Sequence, residues 1–305
     1  MRILSVRRGP DDSSHPGVAG GARRGPLTLA VAALVATGAV QAAGATGAAA
    51  AGPKVPPGYQ VVSASFSAPA ATQTSGPATC PAGTVVLGGG VTVAGGALTV
   101  AIGGSYPATS TQWAGIVDNS SSGAATFDVT AVCADQPPGY GLVSTPATLL
   151  RHHSNVKLEV TCPAGTESLG GGGHSLTASL SANLSATLPL GPVGGLYSWT
   201  TSLINQGSTP AMVEADVVCG QVSGYTLGVS RSEAAVNRGT QGTSVAPCPG
   251  RLVPLGGGVG VFKDVGGVDL AATGPTSSFP HGWRATLNNN GPTDATFEAY
   301  ATCAN

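Results

Sequence analysis

The histidines are the first candidates for chemistry, because an imidazole can bind a metal or transfer a proton. His152 and His153 are adjacent, His174 follows a run of glycines, and His281 precedes a tryptophan. A metal site built from His152, His153 and His174 is one interpretation, but the sequence contains neither His-Glu-x-x-His nor Cys-x-x-Cys. We therefore expect these histidines to lie in exposed loops, and we predict no metal site and no cofactor.

Carboxylates are the second candidates, since a pair of them can supply the general acid and base of a hydrolase. They are scattered along the chain, at Asp118, Asp128, Glu214, Asp216, Asp264 and Asp269. No Gly-x-Ser-x-Gly motif is present, and Ser175 is only a sequence neighbour of His174. The sequence thus predicts no catalytic residues, while a single carboxylate pair remains an alternative that would make the protein a secreted hydrolase.

Aromatic residues are the third candidates, because exposed rings can stack on sugars. Three tryptophans are each preceded by another aromatic residue: Tyr106 and Trp113, Tyr197 and Trp199, Phe279 and Trp283. One tryptophan is also typical of the core of a small disulfide-braced β domain. We favour the core interpretation, with three ligand-stacking sites as the alternative.

A repeat that occurs three times must position all of these residues. Each copy contains Gly-Tyr, then Cys-Pro, Leu-Gly-Gly-Gly, a tryptophan, an asparagine (Asn119, Asn205 or Asn289) and a second cysteine. Internal repetition of this kind indicates that each copy is one structural unit. We place repeat 1 at 58–135, repeat 2 at 136–221 and repeat 3 at 222–305.

The six cysteines predict three disulfides, and two pairings fit their spacing. Pairing within the repeats joins Cys80 to Cys133, Cys162 to Cys219 and Cys248 to Cys303. A ring would instead join Cys133 to Cys162, Cys219 to Cys248 and Cys80 to Cys303. Pairing within the repeats is favoured, but sequence alone does not choose.

Alternating apolar and polar residues predict β-strands throughout. Phe127, Val129 and Ala131 alternate with polar neighbours, and Phe297 to Cys303 repeats the pattern with Thr302 on the polar side. The tryptophan segment, its Asn/Gly turn and the segment ending in the second cysteine predict a β-hairpin. We expect the glycine runs to permit a bulge, a turn with positive φ or close backbone approach beneath the tryptophan.

The predicted fold is all-β, with three tandem antiparallel repeats of about 80 residues and five or six strands each. Each repeat is expected to be a disulfide-closed sandwich or roll. Short connections favour packing of the repeats with pseudo-threefold symmetry, whereas the stiff prolines at 56–57 and 137–138 allow separate units.

The N-terminus predicts export. Basic residues precede the apolar stretch 27–40, and small residues follow it, so we predict a signal peptide at 1–42, with cleavage between 42 and 51, and a flexible linker at 43–57. The apolar stretch is too short for a stable membrane span. Charged residues make up only 9% of the chain and form no basic patch, which disfavours nucleic acid as a partner.

The motifs Cys80-Pro81-Ala82-Gly83, Leu87-Gly88-Gly89-Gly90 and Trp113-x5-Asn119 resemble a repeat of uncharacterised secreted proteins from high-GC Gram-positive bacteria. The resemblance covers Tyr59 to the C-terminus and implies no particular activity. Repeat 3 departs from it, because Gly250 arrives one residue early. Cys-Pro-x-Gly in a threefold β protein also resembles the egg vitelline membrane outer-layer β-prism, whose repeat length differs.

These observations predict a secreted, non-enzymatic structural or binding protein of the extracellular space or cell envelope. Its expected partner is a cell-wall or extracellular glycan or another envelope protein. A multivalent carbohydrate-binding protein with one aromatic site per repeat is the alternative.

Overall fold

A computed structural model describes residues 55–229, 233–262, 266–278 and 281–305. Within these ranges the chain is all-β, as predicted, with twenty strands in three antiparallel sheets and no helix. It follows that no helix in these ranges is long and apolar enough to cross a membrane. The predicted signal peptide, and the linker up to Lys54, lie outside the described residues.

The three repeats contribute six, seven and seven strands. Repeat 1 contains β1 (Gln60–Ala68), β2 (Thr72–Thr79), β3 (Val85–Val93), β4 (Val100–Thr109), β5 (Gln112–Asn119) and β6 (Ala125–Ala134). Repeat 2 contains β7 (Gly141–Ser144), β8 (Thr148–Leu150), β9 (Ser154–Thr161), β10 (Glu167–Ser175), β11 (Ala182–Val193), β12 (Leu196–Asn205) and β13 (Ala211–Gly220). Repeat 3 contains β14 (Thr226–Val229), β15 (Ala234–Val236), β16 (Gln241–Pro247), β17 (Val253–Val261), β18 (Val268–Pro275), β19 (Gly282–Asn289) and β20 (Ala295–Ala304).

The seventh strand of repeat 2 arises because its first strand is interrupted. β7 and β8 both pair with β13, as β1 pairs along its whole length with β6. Pro146 lies in the gap between β7 and β8, where it has no backbone N–H to give to the ladder. The prediction of five or six strands per repeat was therefore one too low for repeat 2. It was also one too low for repeat 3, where β14 and β15 both pair with β20.

Every sheet combines strands from two different repeats. Sheet I has the order β1-β6-β3-β18-β19-β16 and joins repeats 1 and 3. Sheet II, β2-β5-β4-β10-β13-β7, joins repeats 1 and 2, and sheet III, β14-β20-β17-β11-β12-β9, joins repeats 3 and 2. Each repeat is thus divided between two sheets, and the contacts between repeats include backbone ladders.

The predicted hairpin between the tryptophan strand and the cysteine strand is wrong. In repeat 1 these strands are β5 and β6, which lie in sheets II and I. Asn119 shapes the corner between them, because its Nδ2 donates to the carbonyls of Ala68 and Gly123 while its Oδ1 accepts from the Ser121 N–H. Such side-chain bonds to the backbone compete with a tight hairpin turn.

The glycine runs lie inside strands and serve two of the expected purposes. The ladder between β3 and β6 shifts register between Val86 and Gly88, which is a β-bulge at Leu87. The next glycine, Gly89, lies against the ring of Trp113, and a Cβ there would overlap the ring. Equivalent shifts occur in β10 and β17, where Gly171 and Gly257 adjoin the corresponding tryptophans.

Alternation places the core as expected in β20, with one exception. Phe297, Ala299, Ala301 and Cys303 are fully buried. Thr302 was predicted on the polar side but is also fully buried, since its hydroxyl donates to the carbonyl of Leu169 in repeat 2. A neighbouring repeat therefore covers a strand face that the sequence assigned to solvent.

The disulfides close within the repeats. They join Cys80 to Cys133, Cys162 to Cys219 and Cys248 to Cys303, with Cα–Cα distances of 5.7, 5.7 and 5.8 Å. The described residues contain no free cysteine. The ring pairing, which the sequence left open, is not the one observed.

The tyrosines of the Gly-Tyr motifs connect one repeat to the next. Tyr140 Oη donates to Val86 O in repeat 1 at 3.0 Å, and Tyr225 Oη donates to Ser168 O in repeat 2 at 2.8 Å. Tyr59 Oη donates to Pro254 O in repeat 3 at 2.8 Å. Burial raises the pKa of all three hydroxyls, so they remain protonated donors at physiological pH.

Candidate functional site

The tryptophans are core residues. Trp113, Trp199 and Trp283 are each 0% exposed. Each indole N–H donates to a buried hydroxyl: Ser105 Oγ at 3.0 Å, Thr187 Oγ1 at 2.7 Å and Thr273 Oγ1 at 2.7 Å. A stacking surface must expose a ring face, so these three rings cannot form the ligand sites that the sequence left open.

The accompanying aromatic residues do not form equivalent sites either. Tyr197 is half-buried and packs edge-on against Tyr225, with ring centroids 5.2 Å apart. Tyr106 stacks on His174 rather than presenting a free ring. Phe279 lies outside the described residues. The alternative interpretation, with one aromatic site per repeat, therefore finds no support in the described residues.

His174 belongs to a buried polar cluster and not to an exposed loop. It lies on β10 and is 8% exposed, with its ring parallel to Tyr106 at a centroid distance of 3.7 Å. Its Nδ1 lies 3.3 Å from Asp216 Oδ2, and Ser144 Oγ donates to Asp216 Oδ1 at 2.6 Å. Burial, with the charge of Asp216, raises the pKa of Tyr106.

This cluster lacks the geometry of a catalytic triad. A triad needs a hydroxyl that donates to the imidazole, with the carboxylate on the other ring nitrogen. Here the hydroxyl of Ser144 donates to the carboxylate instead. His152 and His153 are exposed, as expected, and no group of three or more His, Cys, Asp or Glu residues within the described ranges can hold a metal.

The structure brings two carboxylates from different repeats, Asp118 and Asp269, into one cavity. Both line a cavity of about 330 Å³ to which all three repeats contribute. The second residues of β4, β11 and β18 meet there and are Ala101, Asn183 and Asp269. Asp118, near the end of β5, pairs directly with Ala101. The cavity therefore collects oxygen-bearing side chains from three separate parts of the chain.

Amide groups hold the two carboxylates in place. Gln73 Nε2 donates to Asp118 Oδ1 and to the carbonyl of Ser179, both at 2.8 Å. On the other side, Gln206 Nε2 lies 3.3 Å from Asp269 Oδ1, and Asn290 Nδ2 lies 3.5 Å from Asp269 Oδ2. Only Gln206 comes from a different repeat than its acceptor, and Gln73 links Asp118 to Ser179 of repeat 2. Contacts between repeats therefore help to hold both carboxylates.

Two buried oxygens of this cavity have no hydrogen-bond partner among the described residues: Asp118 Oδ2 and Asn183 Oδ1. Their residues are 1% and 5% exposed. An unpaired buried polar atom costs free energy and calls for an explanation. Both atoms are acceptors, so a ligand at this position must supply hydrogen-bond donors or positive charge.

Electrostatics distinguish Asp118 from an ordinary surface carboxylate. Burial raises its pKa to about 7, with the hydrogen bond from Gln73 opposing the shift and the negative charge of Asp269 adding to it. Strong perturbation of a titratable group in a cavity is typical of functional sites. The described lining of the cavity contains no lysine, arginine or histidine.

Two further cavities are less suited to chemistry. One of about 520 Å³ includes His153, Asn205 and Gln206 in its lining, and Gln206 also lines the Asp118 cavity. The other, of about 270 Å³, is lined largely by the proline pairs at 56–57 and 137–138 and by neighbouring polar residues. Neither brings two carboxylates together.

Comparison with protein-family models and curated proteins found no match, so the assignment of this site rests on its geometry.

In the sequence, Asp118 and Asp269 stand as separate acids, and no motif pairs them. Aligning the repeats provides the missing signal, because Asp118 occupies the position of Ile204 and Asn288, and Asp269 that of Ala101 and Asn183. A polar residue that replaces alanine or isoleucine at a repeated strand position marks a departure from the shared scaffold.

Proposed function

We propose that this chain is an exported, non-enzymatic protein of the extracellular space or cell envelope that binds a ligand in the Asp118 cavity. Three disulfides form within the described residues, which fits an oxidising compartment. The basic and apolar N-terminal segment, characteristic of a signal peptide, supports export to such a compartment.

The observation that carries the binding role is the contrast between shared and unshared residues. Positions common to the three repeats have structural roles, since the cysteines form disulfides, the tryptophans fill the core and Asn119, Asn205 and Asn289 bond to nearby backbone. The unshared carboxylates instead meet in one cavity. Function in such a scaffold belongs at the site that departs from the repeat.

The rim of the cavity suits a polyhydroxylated ligand. Thr99, Ser120 and Ser181 bring hydroxyl groups, and Gln206 and Asn290 bring amides, which can donate and accept hydrogen bonds. Sugars present the same mixture of donors and acceptors. We therefore favour a cell-wall or extracellular glycan as the ligand, held in one polar cavity and not on three aromatic surfaces.

Binding of the exported protein to a glycan array and to insoluble peptidoglycan tests this role. Lysine at either exposed rim position, Thr99→Lys or Ser120→Lys, should block the cavity and reduce retention at least tenfold without unfolding the protein. Ser67→Lys, at an exposed position on β1, is the matched control and should bind as the wild type does. Equal retention of all variants, or no retention of the wild type, would contradict the proposal.

A hydrolase is the second candidate, and the raised pKa of Asp118 beside Asp269 is the observation in its favour. One protonated and one ionised carboxyl group can divide the roles of acid and base. Both residues, however, are at most 3% exposed, which keeps a glycosidic bond away from them in this structure. Release of reducing sugar from peptidoglycan that Asp118→Asn abolishes would reverse this ranking.

A further inference from the structure

The floor of the Asp118 cavity presents oxygen atoms that lack donors. Asp118 Oδ2 and Asn183 Oδ1 are buried without a hydrogen-bond partner among the described residues. They belong to different repeats and line the same cavity. A protein rarely leaves two such acceptors unpaired unless water, an ion or a ligand group completes them.

The charge of the cavity points to a cation. Asp118 and Asp269 face the cavity together, and Asp269 acts on Asp118 through its negative charge. The described lining offers hydroxyl and amide groups but no basic side chain. Amide donors reach Asp118 Oδ1 from Gln73, but they leave Oδ2 to another partner. A cation at this position would therefore reduce the repulsion between the two carboxylates. It would also give the unpaired oxygens a partner.

We propose that the Asp118 cavity binds a hard divalent cation, calcium in particular, through oxygen atoms of Asp118, Asn183 and Asp269. Each repeat supplies one of the three residues. The ion therefore connects the three copies at the point where β4, β11 and β18 begin.

The donor set selects calcium over other metals. The candidate ligands are carboxylate and amide oxygens, which hard cations prefer, and the described lining contains no histidine or cysteine for zinc or copper. Calcium accepts irregular coordination by six to eight oxygens, whereas magnesium requires a compact octahedron. A cavity of about 330 Å³ has room for an ion with several water ligands. With two carboxylates, the affinity should be that of extracellular modules, roughly 10⁻⁴ to 10⁻³ M.

This inference rests on the proposed binding role because it concerns the same cavity, yet it can be tested without a glycan. Calcium that binds while no glycan does would overturn the proposed function and leave the ion site standing. Glycan retention that persists in excess chelator, together with no response to calcium, would overturn the ion site alone.

The test is thermal unfolding and calorimetric titration of the mature exported protein after removal of metals with EDTA. Calcium chloride should raise Tm saturably by several degrees and produce a one-site binding isotherm, whereas sodium chloride of equal ionic strength should not. Magnesium chloride should act at least tenfold more weakly. Asp118→Asn and Asn183→Ala should each weaken the calcium response at least tenfold.

Asp128→Asn is the matched control. It neutralises an exposed carboxylate on β6 that interacts with Ser65, and it should keep the full calcium response. If Asp118→Asn does not fold, Asn183→Ala and the wild-type isotherm carry the test. No saturable response of the wild type to millimolar calcium would overturn the proposal. An undiminished response in both cavity variants would overturn it as well.

Discussion

The hydroxyl of Tyr140 lies 3.0 Å from the carbonyl oxygen of Val86, a residue of the preceding repeat. Tyr59 and Tyr225 make the corresponding contacts, so each repeat donates one such bond to another. The tyrosine of the Gly-Tyr motif thus joins its own repeat to another repeat.

Replacing Tyr140 with phenylalanine should lower the free energy of unfolding by about 1 kcal/mol, because a partly buried carbonyl loses its donor. Urea denaturation followed by circular dichroism measures the change. Tyr197→Phe is the control, since the Tyr197 ring packs against Tyr225 and should be retained. Equal stability of the two variants would show that the Tyr140 bond contributes little.

Gly89→Ala should destabilise the protein by about 1–3 kcal/mol or prevent folding, because the added methyl group would overlap the Trp113 ring. Gly123→Ala is the matched control, since a Cβ at Gly123 meets no atom within 4 Å. That control should remain within about 0.5 kcal/mol of the wild type. Thermal unfolding of both variants decides whether close packing of glycine on tryptophan is required.

Removing one disulfide should cost about 4 kcal/mol, since it opens a loop with a sequence separation of 53 residues. The double variant Cys80→Ala/Cys133→Ala tests this by denaturant unfolding. Non-reducing peptide mapping of the wild type must first recover the Cys80–Cys133 pair. Recovery of Cys133 joined to Cys162 would contradict the observed pairing.

Stability in the presence of EDTA should fall as pH rises from about 4 to 7, because Asp118 has a raised pKa when folded. Its pKa is about 7 in the fold, against 3.8 in the unfolded chain. Below pH 3.8 Asp118 is protonated in the folded and in the unfolded state, so it does not lower the free energy of unfolding. Between these values only the unfolded state ionises, so unfolding gains up to about 1.4 kcal/mol per pH unit. Above pH 7 Asp118 is ionised in both states, so its destabilising effect no longer changes with pH.

The Asp118→Asn variant provides the check on this sign. Because asparagine does not titrate, the stability of this variant should fall much less between pH 4 and pH 7. At pH 8 the variant should be more stable than the wild type. Asp128→Asn should retain the wild-type slope. Urea titrations at pH 4, 5, 6, 7 and 8 measure the slopes, and parallel curves for Asp118→Asn and the wild type would disprove the assignment.

The three tryptophans should resist acrylamide quenching and emit at short wavelength, because each is 0% exposed. Addition of a glycan that the protein binds should leave the tryptophan emission unchanged. Quenching in the native state comparable to that in 6 M guanidinium would place at least one ring at the surface and restore the stacking interpretation.

Short-range patterns predicted much of this fold. Alternation identified β6 and β20, and the Leu-Gly-Gly-Gly motif correctly indicated a bulge and a close approach to tryptophan. The pairing of strands was harder to predict, because Asn119 is compatible with a hairpin turn and with the observed corner between sheets. Likewise, the burial of Thr302 depends on Leu169 in another repeat, and nothing local indicates that contact.

Contacts between distant parts of the chain also made the candidate site hard to predict. Asp118 and Asp269 are far apart in the chain and meet only because three repeats converge. His174 was expected in an exposed loop, whereas it lies on β10 together with the glycines that precede it. Tyr106 and Asp216 then cover the imidazole from two other strands.

The division of each repeat between two sheets also joins the last repeat to the first. β18 of the last repeat pairs with β3 of the first, so the series closes on itself and leaves no end at which another copy could be added. Solenoids grow or shrink by whole units because each unit contacts only its neighbours. Here, duplication or deletion of one copy would break two ladders at once. A change in the number of copies would therefore require new ladders between repeats, whereas substitutions and changes of loop length leave the existing ladders in place.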